Sequence, residues 1–231
     1  MAAFGLMLVG CSGGGAEEVP RTAPQTFPVQ KVCGGIFPDE GAKAVERILE
    51  SKEFQVREAR RNPDVAAVAR TMEDAYRSGK RIREQPQSVC EVVGTVDRDG
   101  HVPRAQVMFT AFSKYAADPA DLPGLPAGAP RVAGVGKGVD LSFDCVSPRV
   151  GATRDVPLQV TAQFSDFRSN SKGPAVLGQD YLAAVHAAAL TVAKELGCLN
   201  DAGIPAQAGQ LAAPEAKDAS SSPGGGPSPS S

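Results

Sequence analysis

Five cysteines, two histidines and a handful of strand and turn aspartates carry whatever chemistry this 231-residue chain has to offer. Cys33, Cys90, Cys145 and Cys198 are spread through its body, with no Cys-x-x-Cys pair and no histidine at ligand spacing. That pattern argues against zinc or thioredoxin-like chemistry and for disulfides made in an oxidising compartment. His101 and His186 lie far apart and outside any His-Glu-x-x-His arrangement, so each is expected to be structural or superficial. A carboxylate hydrolase would draw on Asp97, Asp99, Asp140, Asp144 or Asp166, and a glycosidase needs two of them about 5 to 10 Å apart. Asp97 and Asp99 are equally suited to Asx-type hydrogen bonds in a turn, and calcium would need a denser oxygen cluster. Gly134-Val135-Gly136-Lys137-Gly138 has the glycines of a phosphate loop, but it lacks Walker spacing and precedes a strand, so it reads as a plain loop. No Gly-x-Ser-x-Gly elbow occurs between Cys33 and Cys198. The expectation is a non-enzymatic domain without cofactor or metal, and the alternative is a secreted hydrolase using carboxylates.

The fifth cysteine, Cys11, differs in its surroundings. It ends an uncharged run in which Phe4, Leu6, Met7, Leu8 and Val9 supply the apolar content. Such a run is too short to span roughly 30 Å of hydrocarbon and reads as a signal, not a transmembrane helix. Leu8-Val9-Gly10-Cys11 resembles the lipobox of bacterial prolipoproteins. The resemblance implies removal of residues 1–10 and acylation of the Cys11 thiol, which places the chain on the outer face of the cell membrane. No Lys or Arg precedes the apolar run, which points to a translation start upstream of Met1. Two acyl chains would anchor the protein firmly, whereas one gives marginal binding.

Around these residues the chain divides by composition. Residues 11–31, with Gly13-Gly14-Gly15, Pro20, Pro24 and Pro28, suit a flexible tether. The segment 204–231 ends in Ser, Gly and Pro only, and is expected to be a disordered tail because it cannot bury enough apolar surface to offset its ordering entropy. Between them, 32–203 reads as one domain, and 42% hydrophobic residues with a net charge of -2 exclude nucleic-acid binding by bulk charge. The Ala, Gly, Pro, Val, Arg and Asp content suggests a GC-rich genome.

Two helices are expected first, one capped by Asp39 and running to about Lys52, the other starting from Asn62 and Pro63 with Val65, Val68, Ala69, Met72 and Tyr76 on its stripe. Their solvent side is basic, with Arg57, Arg60, Arg61, Arg70, Arg77, Lys80, Arg81 and Arg83. A solvated surface explains this, and anionic lipid or wall polymer is the functional alternative. Alternation then predicts four strands. Cys90, Val92, Gly94 and Val96 turn through Asp97-Arg98-Asp99-Gly100 into Ala105, Val107, Phe109 and Ala111. After a connection over 116–138 come Val139, Leu141, Phe143 and Cys145, then Val156, Leu158, Val160, Ala162 and Phe164. An Ala-rich helix from about Gln179 to Leu196 follows, ended by Gly197. The fold class is α+β: a four-stranded antiparallel sheet with helices on one face, two of them N-terminal and one C-terminal.

Four body cysteines allow three pairings. Cys90 and Cys145 share the apolar face, and Cys33 and Cys198 flank the domain's ends, so Cys90–Cys145 and Cys33–Cys198 are expected. The lipobox, the Gly/Pro tether, the paired-cysteine domain and the Cys33-Gly34-Gly35 lead into a helix together resemble uncharacterised secreted lipoproteins of actinobacteria, of the streptomycete type. That resemblance implies an anchor at Cys11 and no catalytic residues. A sheet with flanking helices is also broadly similar to the extrinsic lumenal proteins of photosystem II. The expected partners are the membrane, through Cys11, and an envelope protein or polymer.

Overall fold

The computed structural model describes residues 25–55, 64–79, 87–96, 100–113, 129–135, 138–167 and 173–211. Cys11, Asn62, Asp97, Asp99 and the basic residues Arg57, Arg60, Arg61, Lys80, Arg81 and Arg83 lie outside them.

The strands expected from alternation form, as β3 (Gln87–Gly94), β4 (Arg104–Ser113), β6 (Gly138–Cys145) and β7 (Leu158–Asp166). The sheet is nevertheless larger than four strands. Two short strands, β1 (Thr26–Phe27) and β2 (Phe54–Gln55), extend one side, and β5 (Arg131–Val135) extends the other. All seven pair antiparallel in the order β1-β2-β3-β4-β7-β6-β5. Two-residue strands carry no periodicity, and β5 lies in the Gly/Pro/Ala-rich segment expected to be a connection. There Gly134 and Val135 belong to β5 and Gly138 opens β6, so the glycine run is a hairpin.

Packed structure also extends past both expected bounds. Val29 is fully buried in a 3₁₀ segment, Val29–Gly35, and Ile204 and Leu211 are buried beyond the C-terminal helix. Beyond the three expected helices, the chain turns through Leu199–Gly203, where Asn200, Asp201 and Ala202 are left-handed, and makes a 3₁₀ turn at Ala208–Gln210.

Helix α1 spans Asp39–Leu49, with Pro38 in place of Asp39 at its N-cap and Glu50 closing it in the left-handed region. Helix α2 spans Val65–Ser78, and its cap is Asp64, whose carboxylate accepts from the Ala67 N–H at 2.6 Å; Asn62 lies upstream of it. Gly79, at φ 65°, ends it.

Helix α3 (Gly173–Glu195) is the organising element. It packs on β6 and β7 on one side and on α1 on the other, which leaves it buried from two directions. A helix buried on two sides needs apolar residues around most of its girth and small ones where a second helix crosses closely. Ala184, Ala187, Ala188, Ala189 and Ala193 meet that need. At the crossing with α1, Gly41 lies against Ala187 so closely that a Cβ at position 41 would collide with the Ala187 methyl. Gly41→Val should therefore destabilise by about 1–3 kcal/mol through overpacking. Urea unfolding measures it, and an unchanged midpoint would show that the crossing is loose.

The disulfides are Cys33–Cys90 and Cys145–Cys198, with Cα separations of 5.3 and 5.1 Å, so both expected pairings are corrected. Cys90 and Cys145 do share the buried face, but β3 and β6 are three strand positions apart. Three steps of about 4.8 Å put the two near 14 Å, about twice the limit for a bridge. Cys90 instead bonds the segment Val29–Gly35 packed on β3, and Cys145, the last residue of β6, bonds Cys198 just past α3.

Candidate binding cleft

Beyond Cys198 the chain folds back along α3, and this return makes a cleft of about 960 Å³. Its floor is the outer side of α3, with Ala183, Ala187 and Leu190. The first turn of α1, Pro38 to Gly41, forms one wall, and Ala206 to Gly209 form the other. The second wall is fixed by His186, whose Nε2 lies 2.7 Å from the Pro205 carbonyl oxygen. Only an N–H can bond a carbonyl, so Nε2 is the donor in this bond. Buried Ile204 and Leu211 hold the same segment from either end.

Glu40 and Glu195 in the lining, and Asp180 beside it, are tied to neighbours. Glu40 accepts from Lys43 at 2.7 Å, and this bond holds the carboxyl below its usual range. Asp180 meets Arg47 at 2.7 Å, joining α3 to α1. Glu195 sits 3.8 Å from Arg149, which also reaches the buried Glu73 at 2.7 Å. What the cleft offers a ligand is an apolar floor, with carboxamides at Gln179 and Gln207 and the charged side chains of Asp39 and Lys194 also in its lining.

Of the aspartates raised by the sequence, the three among the described residues do not converge. Asp140 and Asp144 lie on the side of the sheet away from the core, four residues along one strand and so about 13 Å apart. Asp166 is on the opposite side, buried, where it accepts from the Tyr181 hydroxyl at 3.0 Å. Among the described residues no three His, Cys, Asp or Glu side chains are grouped to hold a metal ion. His101 is exposed near the β3–β4 turn, remote from His186. Of the basic helical surface, Arg70 faces Asp64 at 4.0 Å and Arg77 donates to the Arg149 carbonyl at 3.0 Å.

Polar side chains on the side of the sheet away from the core bond one another. Gln163 Nε2 donates to Asp140 at 2.9 Å, and the Ser142 and Thr161 hydroxyls meet at 2.8 Å. Burial raises the Asp140 carboxyl above its ordinary 3.8, and the bond from Gln163 opposes the shift. A carboxyl whose folded pKa is raised holds its proton more tightly in the native state, so its contribution falls as pH rises from its ordinary range through the raised one. Asp140→Asn should then raise the thermal midpoint at about pH 7 and change little at about pH 3, where the native aspartate is already protonated. A lower midpoint at neutral pH would contradict this.

The sequence alone did not reveal the cleft, because its walls come from segments more than a hundred residues apart. The two-sided alanine pattern of α3 was the available signal. Comparison of the chain with protein-family models, with curated proteins and with solved structures finds no match.

Proposed function

We propose that this chain is an extracytoplasmic protein, lipid-anchored through Cys11, whose non-enzymatic α+β domain binds an extended segment of an envelope protein in the cleft between α1, α3 and the C-terminal return. The observation that carries the reading is the cleft itself. Its floor of Ala183, Ala187 and Leu190 suits apolar side chains, and Gln179 and Gln207 supply the donors and acceptors that an extended backbone requires. Two disulfides support an oxidising compartment.

The test is a photo-crosslinking residue at Leu190, irradiated in native membranes, with the crosslinked peptide sequenced. The expected product joins position 190 to one defined segment of a single envelope protein. Ala183→Arg, which fills the floor, should abolish that crosslink, while Thr161→Arg on the far side of the sheet should leave it intact. Crosslinks that survive Ala183→Arg, or scatter over unrelated proteins, would refute the reading.

A further inference from the structure

The chain leaves α3 through a backbone that its side chains do not favour. Gly197, at φ 66°, already ends the helix, so no capping duty remains beyond it. Asn200, Asp201, Ala202 and Gly203 nevertheless follow with φ of 52°, 51°, 57° and 73°, a full left-handed turn. Only Gly203 adopts that conformation without penalty. An L-residue disfavours the left-handed form by about tenfold against the right-handed one, and asparagine or aspartate tolerates it singly, not in a run that continues into alanine. The other left-handed run among the described residues, at 33–35, has glycine at two of its three positions.

The two sides of this turn are held very differently. Before it, Cys198 is bonded to Cys145 and the Leu199 N–H donates to the Val146 carbonyl at 2.8 Å, so the root is fixed to the end of β6. After it, residues 204–211 lie along the outer side of α3, held by the buried side chains of Ile204 and Leu211 and by the bond from His186 Nε2 to the Pro205 carbonyl oxygen. Ala206, Gln207, Gly209 and Gln210, between those two anchors, are exposed. No cysteine follows Cys198 to tie this stretch down.

We propose that residues 204–211 form a strap that opens about the left-handed turn at 200–203, uncovering the cleft so that a segment enters from the side and is then enclosed. Admission of a segment rests on the cleft reading given above; the opening itself does not. In the closed state Asn200, Asp201 and Ala202 are strained, and opening lets them relax, which offsets part of the loss of two apolar contacts and one hydrogen bond. Strain of this kind gathers at clamps and switch regions, and lids are drawn from the weakly held parts of a fold. The residue types at 200–202 therefore set how often the strap opens. A residue at ease in the left-handed form keeps it shut, and a β-branched one frees it.

The bond between His186 and Pro205 joins floor to strap, so its proton reports the opening. The chain has two histidines and His101 is exposed, which leaves one buried ring to follow. The experiment uses the full chain with both disulfides intact and isotope-labelled histidine. NMR measures the exchange of the His186 Nε2 proton with water in the native chain, in Asn200→Gly and in Asn200→Val. Asn200 is exposed, so both substitutions act through the backbone. Exchange should be about threefold slower with glycine and about tenfold faster with valine, whose branched Cβ crowds a left-handed backbone. Amide exchange in β7 should be the same in all three. Glycine adds no strain, so Asn200→Gly decides the matter even where valine prevents folding. Unchanged His186 exchange with glycine, or a change that the β7 amides share, would overturn the inference. The expected exchange pattern together with a scattered Leu190 crosslink would remove the proposed ligand and leave the strap standing.

Discussion

Replacing Cys145 and Cys198 together by alanine is expected to lower the free energy of unfolding by about 4 kcal/mol. The bridge closes a loop of 53 positions that contains β7 and the whole of α3, so its loss returns a large conformational freedom to the unfolded chain. It also fixes the point from which the C-terminal wall of the cleft departs, because Cys198 is followed directly by the return over α3. The Cys33–Cys90 pair spans 57 positions and should cost a similar amount, but its removal loosens the approach to α1 and spares the C-terminal wall. Urea unfolding of the two double variants, with crosslinking at Leu190 read alongside, separates the effects. Both should lose similar stability, and only the Cys145/Cys198 variant should lose the defined crosslink. Peptide mapping without reduction checks the pairing itself, and a peptide joining Cys90 to Cys145 would contradict this topology.

Tyr181→Ala should be comparably severe, at about 4 kcal/mol. Tyr181 is fully buried, and its ring meets Phe164 edge-on at 5.6 Å, while Phe164 meets Phe37 edge-on at 6.2 Å. The stack joins the sheet to α3 and to the segment entering α1. Truncation removes the ring from the centre of the core and also the hydroxyl that donates to Asp166, itself 1% exposed. Tyr181→Phe keeps the stack and should cost about 1–3 kcal/mol, the range for taking one hydrogen bond from a buried acceptor. Thermal unfolding of the two variants reads the difference. Equal losses would mean that the hydrogen bond, not the ring, holds this part of the core.

These two sites show where sequence reasoning carries and where it stops. Alternation placed Val160, Ala162 and Phe164 on one buried face, and the helical stripe placed Val65, Val68, Ala69 and Met72 on another, because both patterns are local consequences of backbone periodicity. Which strand lies beside which is set by the whole chain. Cys90 and Cys145 were correctly assigned to one face and wrongly to each other, since parity says nothing about lateral order. The strand β5 was hidden for a different reason. It lies in a segment rich in glycine, proline and alanine, and its pairing with β6 comes from the hairpin that joins them. Asp166, taken from sequence as a possible catalytic carboxylate, is held in the core by Tyr181. His186, expected to be structural, pins the return that forms one wall of the cleft. Both roles depend on contacts that no single element encodes.

The proposed anchor at Cys11 decides where this domain works and, through that, what it meets. Mass spectrometry of the N-terminal peptide of the mature protein, isolated from native membranes, tests it most directly. The account predicts a chain that begins at Cys11, with a diacylglyceryl group on its sulfur. An unmodified Cys11 still preceded by Gly10 would contradict it.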